Sequence, residues 1–365
     1  MRIPSASAVV EADKTEPSSI DGLHDSIRTI IIGSQQNIVR SINSEMVSTY
    51  FNIGKLIVES EQRGQARAGY GERTMTLLSQ KLVEEFGKGF STRNLRNMRG
   101  FYLKFRIWQT LSAELSWSHY SLLMRLDDDK AISFYMKEAA SERWSVRELE
   151  RQIDSMLYER LALSRDKKGV LQLAKRGQVI DSPASMVKNP YVLEFLNFPQ
   201  RHQFTEKELE TALVDNLQEF LLELGKGFMF VARQKHICLD GEHFYIDLVF
   251  YNKLLRCYVL IDLKIGKLTH QDLGQMQMYV NIFDREIKEK AESPTVGIIL
   301  CRDKKETIAR YTLPKDNKQI FASKYQLYLP SEKELETKMD AFIEGFDQTR
   351  KRKIKKGISK GKKAN

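Results

Sequence analysis

Cysteine and tryptophan are scarce in this 365-residue chain, at three residues each. Cys238, Cys257 and Cys301 stand far apart with no CxxC spacing, which argues against a zinc ribbon or a disulfide scaffold. Each lies in an apolar, strand-like stretch, so the expectation is three buried free thiols. No apolar run approaches the length needed to span a bilayer. The first 19 residues, MRIPSASAVVEADKTEPSS, contain acids and no apolar core of signal-peptide length. A cytoplasmic protein is therefore expected. A GxxxxGK[ST] phosphate loop is missing, so nothing points to an ATP-driven motor. Internal repeats are missing too.

Hydrophobic residues make up 42% and charged residues 29%, the balance of a globular protein of about two domains. The net charge of +10 is local. The last 16 residues, RKRKIKKGISKGKKAN, hold nine Lys or Arg and no acid, and without them the net charge is about +1. Such a tail is either a solubilising end or an arm that attracts phosphate backbones without reading sequence.

The pattern divides the chain. Residues 1–20 are polar and aperiodic, and are expected to be disordered. Residues 21–163 read as helical throughout, with apolar positions such as Ile42, Met46, Tyr50, Ile53 and Ile57 at three- and four-residue spacing. Trp117 and Trp144 bracket one helical stretch, and Trp108 precedes them. Ser145 and Glu148 form a capping box that opens a helix through about Leu161. Its apolar face would be Val146, Leu149, Ile153, Met156 and Leu157. Residues 164–185 read as a linker. Residues 186–346 then alternate helix and strand in the order α-β-β-β-α-β-α-β-α, and 347–365 form the basic tail. The expected strands are 228–238, 244–251, 257–263, 296–301 and 325–329; the expected helices are 206–224, 270–284, 305–311 and 332–346. That order implies an α+β protein: an all-helical domain, then a mixed sheet flanked by helices.

In the helical part, Arg63–Arg73 is Gly-rich and basic and reads as a flexible loop. Thr76–Phe86 is an amphipathic helix broken by Gly87-Lys88-Gly89. Ser91 is a candidate N-cap for the following helix, so the pair resembles a helix-turn-helix. Leu95, Met98 and Tyr102 would pack inward. Arg93, Asn94, Arg96, Asn97 and Arg99 suit phosphates and base edges, so DNA is the expected partner; an ordinary helix hairpin with a solvated basic face has the same pattern.

The chemistry concentrates in two neighbouring strands that end in acids: Phe244-Tyr-Ile-Asp247 and Val259-Leu-Ile-Asp262-Leu-Lys264. A turn-like segment, 251–256, joins them into a hairpin-like pair. Asp262 and Lys264 are two apart on a strand and face the same way. A carboxylate after the apolar run Val259-Leu-Ile is costly to bury without a partner. Asp247 and Asp262 could share a divalent cation, and hard oxygen ligands select Mg²⁺, or Mn²⁺, over softer metals. Lys264 would then orient or help deprotonate an attacking water and offset phosphate charge. His236, His243 and His270 lie at irregular spacing and are left as core or surface residues.

Asp247-x14-Asp262-Leu-Lys264 resembles the PD-(D/E)xK signature of the restriction-endonuclease-like superfamily, with Ile246 in place of the proline. Gln275-Met-Gln-Met-Tyr279 is similar to a Gln-x3-Tyr motif carried on the following helix in several of its families. The ordered segments FLLELGKGF, RQ, FYIDLVFY, DLK and GQMQMYV resemble the YhcG-type nuclease family. AGYGERTMTLLSQKL, GFSTRNLRNMRGFY, WSHY and WSVRELERQI resemble its helical N-terminal domain. The likeness covers residues 25–345 or so. It implies a restriction-endonuclease-like core, Gln275 near the site, and a further acid from the first core helix. Candidates for that acid are Glu210, Glu219 and Glu223, with Glu210 favoured because it borders the inward row of Leu213, Leu217 and Leu224. The implied activity is Mg²⁺-dependent hydrolysis of DNA phosphodiesters, in repair, recombination or defence against foreign DNA. A homodimer would follow by analogy. RNA is less expected than DNA, since no aromatic-rich RNA-binding strand is evident. A non-catalytic DNA-binding protein on a nuclease-like scaffold is the alternative.

Overall fold

The computed structural model describes residues 20–63, 70–106, 112, 114–163, 167–198, 204–303 and 306–329. The expected tails, Trp108 and the expected helix 332–346 lie outside the described residues. The chain forms two compact units, 1–124 and 125–365. This division differs from the expected one, which kept 21–163 together.

The first unit contains α1 (Ile20–Arg63), α2 (Tyr70–Phe86), α3 (Thr92–Phe105) and α4 (Trp117–Leu123), with a 3₁₀ turn at Lys88–Phe90 between α2 and α3. Ser91 caps α3 as its spacing predicted, accepting from Asn94 N at 3.4 Å. The inward row of α3 is Leu95, Met98, Phe101 and Phe105, while Tyr102 is half-buried against Phe51. Gly54 lets α1 and α3 approach closely, since a Cβ there would overlap the Met98 carbonyl. Phe101 stacks edge-on with Trp117 and tilts against Tyr120, closing the core over α4.

The second unit begins with α5 (Asp129–Glu142), α6 (Val146–Asp154), α7 (Leu157–Leu163), α8 (Lys167–Arg176) and α9 (Pro183–Met186). The Ser145–Glu148 capping box is present, with Ser145 N donating to Glu148 Oε2 at 2.6 Å and Glu148 N to Ser145 Oγ at 3.2 Å. The helix it opens stops early, because Met156 takes a left-handed φ of 52° between α6 and α7. The stretch read as a linker carries α8, whose Leu173 and Ala174 are buried.

After it come β1 (Tyr191–Val192), α10 (Glu206–Asp215), α11 (Leu217–Leu224), β2 (Phe228–Leu239), β3 (Glu242–Asn252) and β4 (Cys257–Lys267). These are followed by α12 (His270–Ile282), β5 (Val296–Asp303), α13 (Glu306–Thr312) and β6 (Ile320–Gln326). The expected helix 206–224 is two helices meeting at Asn216, and the last strand lies about five residues earlier than its pattern suggested. β1 was not foreseen; two residues are too few to show a period.

The sheet order is β1-β6-β5-β4-β3-β2. β1, β6, β5 and β4 run parallel, while β3 and β2 complete an antiparallel edge, so the sheet is mixed. One face packs Leu248, Phe250, Val259 and Ile261 against Leu209 and Leu213 of α10 and Phe220 of α11. The other packs Ile246, Leu260 and Ile299 against Leu273, Met276 and Val280 of α12. β4 is buried on both faces, as a strand covered by two helical layers must be. Beyond Leu248 and Ile261 the β3–β4 pairing ends, and β2 and β3 continue alone to their tip. Cys238 sits on that extension and is exposed, which corrects the expectation of three buried thiols; Cys257 and Cys301 are buried.

Helices α6 and α7 attach to the sheet through buried charge. Arg160 pairs with Glu223 at 2.6 Å, both wholly buried. Arg151 pairs with Glu194 at 2.8 Å, and its Nη2 donates to Val192 O at 3.1 Å. Lys188 Nζ donates to Glu223 O, and Val192 N donates to Glu223 Oε1 at 2.9 Å. Burial pushes the Glu223 carboxyl up, but Arg160, Lys188 and Arg151 outweigh it and hold it at about 2. Removing one member strands the others in the interior. Glu223→Gln is therefore expected to cost about 3–5 kcal/mol of unfolding free energy, measured by urea denaturation; a loss under about 1 kcal/mol would mean that the network contributes little.

Candidate active site

Five elements converge where β3 and β4 part. Asp262 and Lys264 come from β4, Asp247 from β3, Gln234 from β2, Glu206 and Glu210 from α10, and Tyr279 with Gln275 from α12. Asp247 immediately precedes Leu248, the first residue of β3 paired with β4, and its Oδ2 accepts from Leu263 N of β4 at 2.8 Å. From α10, Glu206 Oε1 accepts Ile265 N at 3.3 Å. Side-chain carboxylates thus take up the β4 amides just where the ladder to β3 stops.

Asp262 is 3% exposed. Lys264 Nζ lies 2.9 Å from its Oδ2, an ion pair without hydrogen-bond geometry, so that oxygen has no hydrogen-bond partner among the described residues. Burial, reinforced by Asp247 and opposed by Lys264, lifts the Asp262 carboxyl to about 7. For Lys264 the balance reverses. Burial pulls its ammonium down, but Asp262, Glu206 and Asp247 together raise it above its ordinary value. Its Nζ also lies 3.7 Å from Glu206 Oε2.

Glu210 is 4% exposed and points at the same place. Its Oε2 accepts from Gln234 Nε2 at 2.5 Å, and the same nitrogen donates to Asp247 Oδ1 at 3.1 Å. One neutral amide thus bridges two carboxylates. Glu210 Oε1 has no hydrogen-bond partner among the described residues; Arg233 Nε stands 3.8 Å away. Burial raises the Glu210 carboxyl, and Asp247 adds to the effect against the Gln234 hydrogen bond. Gln234 reaches both acids from a left-handed φ of 45°, a conformation that costs a non-glycine residue energy and collects at functional sites.

Of the three glutamates weighed for the helix position, Glu210 lies beside Asp247. Glu223 is engaged by Arg160 instead. The hydrogen bond that Gln275 makes is to Tyr279 and not to one of the acids. Its Nε2 donates to the buried Tyr279 Oη at 2.5 Å, which donates to Tyr245 O at 3.1 Å. Gln234 and Glu206 were not singled out from the sequence. The RQ pair at 233–234 was the available signal for the first; Glu206 looks like any first-turn acid. His236 and His243 stack on the exposed β2–β3 extension, 2.8 Å apart between Nε2 and Nδ1.

Asp262, Glu210 and the neighbouring Asp247 offer only carboxylate oxygens, the donor type that a hard divalent cation takes. Among the described residues no three His, Cys, Asp or Glu side chains are already gathered as a ligand cluster. Gln234 Nε2 and Lys264 Nζ mediate between the acids instead.

On α3, Arg93 and Arg96 are exposed. Arg99 is tied to Glu61 of α1 at 2.7 Å, and Asn94 Nδ2 donates to Gly89 O at 3.0 Å; Asn97 is half-buried. The five polar residues predicted to meet DNA therefore do not form one open row.

The sequence matches the YhcG PDDEXK nuclease domain over residues 184–340 and the DUF1016 N-terminal domain over 26–160. It is 38% identical over 345 residues to the Escherichia coli (strain K12) protein named "Putative nuclease YhcG", covering 86% of this chain and 92% of that one. Among solved structures, a repair endonuclease from Pyrococcus abyssi is 19% identical, over 36% of this chain and 50% of its own, with a TM-score of 0.24. An EndoMS–dsDNA2 complex is 15% identical, over 37% and 51%, with a TM-score of 0.26. The chain spans about half the length of these two, and scores this low carry no argument about its chemistry. No helix among the described residues is long and apolar enough to cross a membrane.

An aspartate whose folded pKa is raised binds its proton more tightly in the fold than in the unfolded chain. Its ionisation therefore removes stability as pH climbs from 3.8 through about 7. With a chelator present, the melting temperature of Asp262→Asn should gain on that of the wild type between about pH 4 and about pH 8. A difference that stays flat across this range would contradict the buried-acid account.

Proposed function

Because this chain belongs to the YhcG family of PD-(D/E)xK nucleases, we propose that it is a metal-dependent DNA endonuclease whose site is Asp247, Asp262, Glu210 and Lys264. The observation that carries this reading is the cluster of buried carboxylates, in which Asp262 Oδ2 meets only the Lys264 ammonium, at 2.9 Å, and Glu210 Oε1 has no hydrogen-bond partner among the described residues. Asp247, Asp262 and Glu210 would hold Mg²⁺ or Mn²⁺. Bound there, the ion supplies Lewis acidity towards a phosphodiester and lowers the pKa of water.

The chain's own residues do the rest. Lys264, kept charged by three surrounding carboxylates, acts as an ammonium. It orients the attacking water by hydrogen bonding and offsets charge that builds on the phosphate. Gln234 holds Glu210 and Asp247 in register with each other. Gln275 acts one step away as a positioning residue, since it braces Tyr279 against the β3 backbone. The exposed Arg93 and Arg96 of α3 suit phosphate contacts, in a helical module that brings DNA to the protein.

Cleavage of plasmid and branched oligonucleotides with Mg²⁺ or Mn²⁺ tests the assignment. Asp262→Ala and Lys264→Ala should each slow cutting by about a hundredfold or more while folding and DNA binding persist. Variants that cut as fast as wild type would remove these residues from catalysis. A wild type that binds DNA yet cuts nothing with any metal would leave a DNA-binding protein on a nuclease-like scaffold. Cleavage of RNA in preference to DNA would change the substrate assignment alone.

The α3 reading has a separate readout. Every phosphate that the protein no longer neutralises should lower the slope of log affinity against log salt by about 0.9. Arg93→Ala with Arg96→Ala is therefore expected to weaken DNA binding and flatten that slope, measured by fluorescence anisotropy across a salt series. An unchanged slope would place the DNA-binding surface elsewhere.

A further inference from the structure

The first 27 residues of α1 carry ten large aliphatic side chains, from Ile20 to Met46, that are all exposed; Ile20 is 84% exposed and Met46 still 41%. Burial begins at Val47, and near that point Arg40 pairs with Glu114 at 3.2 Å. From there α1 joins the core of the first unit, where Ile53 and Ile57 pack with Met75, Leu95 and Met98.

The exposed positions are patterned. Ile20, Ile31, Ile42 and Ile53 recur at intervals of eleven, and Ile27 and Ile38 share the same interval. A hydrophobic spacing of eleven within one helix keeps its positions on one side over many turns and suits a straight or right-handed helix pair. The stripe that is covered at Ile53 is therefore continuous with the stripe that is bare at Ile20, Ile31 and Ile42. Charge is sparse along it, with Asp21, Asp25, Arg28, Arg40 and Glu45 the only acids and bases of Lys, Arg, Asp or Glu type between 20 and 46.

We propose that this stretch of α1 is a self-association surface, and that its occupant is α1 of a second copy of this chain. At about 1.5 Å per residue the stretch is on the order of 40 Å long. Side chains exposed by about half offer on the order of 80 Å² of apolar surface each. Ten of them offer on the order of 800 Å² per copy, the share that each partner contributes to an interface of standard size. A patch of this extent is larger than monomers ordinarily leave bare. The second copy supplies the same stripe, so apolar surface meets apolar surface without placing a charge in the contact. The association is independent of the nuclease reading.

Sedimentation velocity of the full-length chain from about 1 to 100 µM, the range that populates a complex of micromolar Kd, is run beside Ile27→Ala/Ile31→Ala/Ile38→Ala. Wild type should sediment as a dimer, and the triple variant should dissociate at least about a hundredfold more readily. Alanine is the strongest helix former, so far-UV circular dichroism should show the helix retained. A second variant leaves every aliphatic side chain in place. Ser34→Cys lies near the middle of the stripe, where two paired helices meet in either direction. A bis-maleimide should join two copies through it, above the background given by the exposed Cys238 of the unmodified chain. A wild type that stays monomeric throughout, a triple variant that dimerises as tightly as wild type, or a Ser34→Cys chain that gives no extra cross-link would each overturn the proposal. Cleavage by the triple variant, read in the same preparation, reports on the nuclease site independently.

Discussion

A carboxylate buried in the middle of a two-sided strand is the constraint around which the C-terminal unit is organised. β4 is covered by α10 and α11 on one face and by α12 on the other, and it delivers Asp262 into that interior. An ionised aspartate there is expensive unless opposite charge is close. Lys264, two residues on, is the one partner that the strand itself can place on the same face. The parting of β3 from β4 at Asp247 then opens the space in which the acids and the lysine meet. Burying Glu210 Oε1 without a hydrogen-bond partner among the described residues, and Asp262 Oδ2 against a single ammonium, weakens the fold locally, and this is the kind of cost that a cation-binding site carries.

The second organising feature is a set of buried charges with a different purpose. Glu223, Arg160, Arg151 and Lys188 are mutually compensated, and they join α6 and α7 to α11 and β1. The contrast with Asp262 is instructive. Both Glu223 and Asp262 are buried acids, yet the first is held at about 2 by three cations and the second is lifted to about 7 beside another carboxylate. Burial is common to both; the sign of the surrounding charge separates a structural acid from a candidate catalytic one.

Much of the site was legible because strand chemistry is local. Alternation along β4 puts Asp262 and Lys264 on one face whatever the rest of the chain does, and the short turn after β3 makes Asp247 its neighbour. The caps at Ser91 and Ser145 were legible for the same reason, since each needs only residues three positions apart. Gln234 was not, because its role depends on a backbone angle that no side-chain pattern announces. Glu206 was not, because a first-turn glutamate has the same local signature whether it faces water or an amide of β4. Cys238 was misplaced because an apolar strand pattern does not show where the neighbouring strand ends.

By itself the sequence determined the two-part composition, the acid-acid-lysine constellation and most of the element order, since these follow from spacing, period and capping over a few residues. Tertiary structure alone decided which glutamate stands beside Asp247. It also decided that the helices after residue 124 pack with the sheet, and that five polar residues of α3 have different surroundings. The physical reason is one of range. Helical and strand periods are written within a single element, whereas the partner of a buried charge is chosen by residues such as Arg160 and Glu223, 63 positions apart.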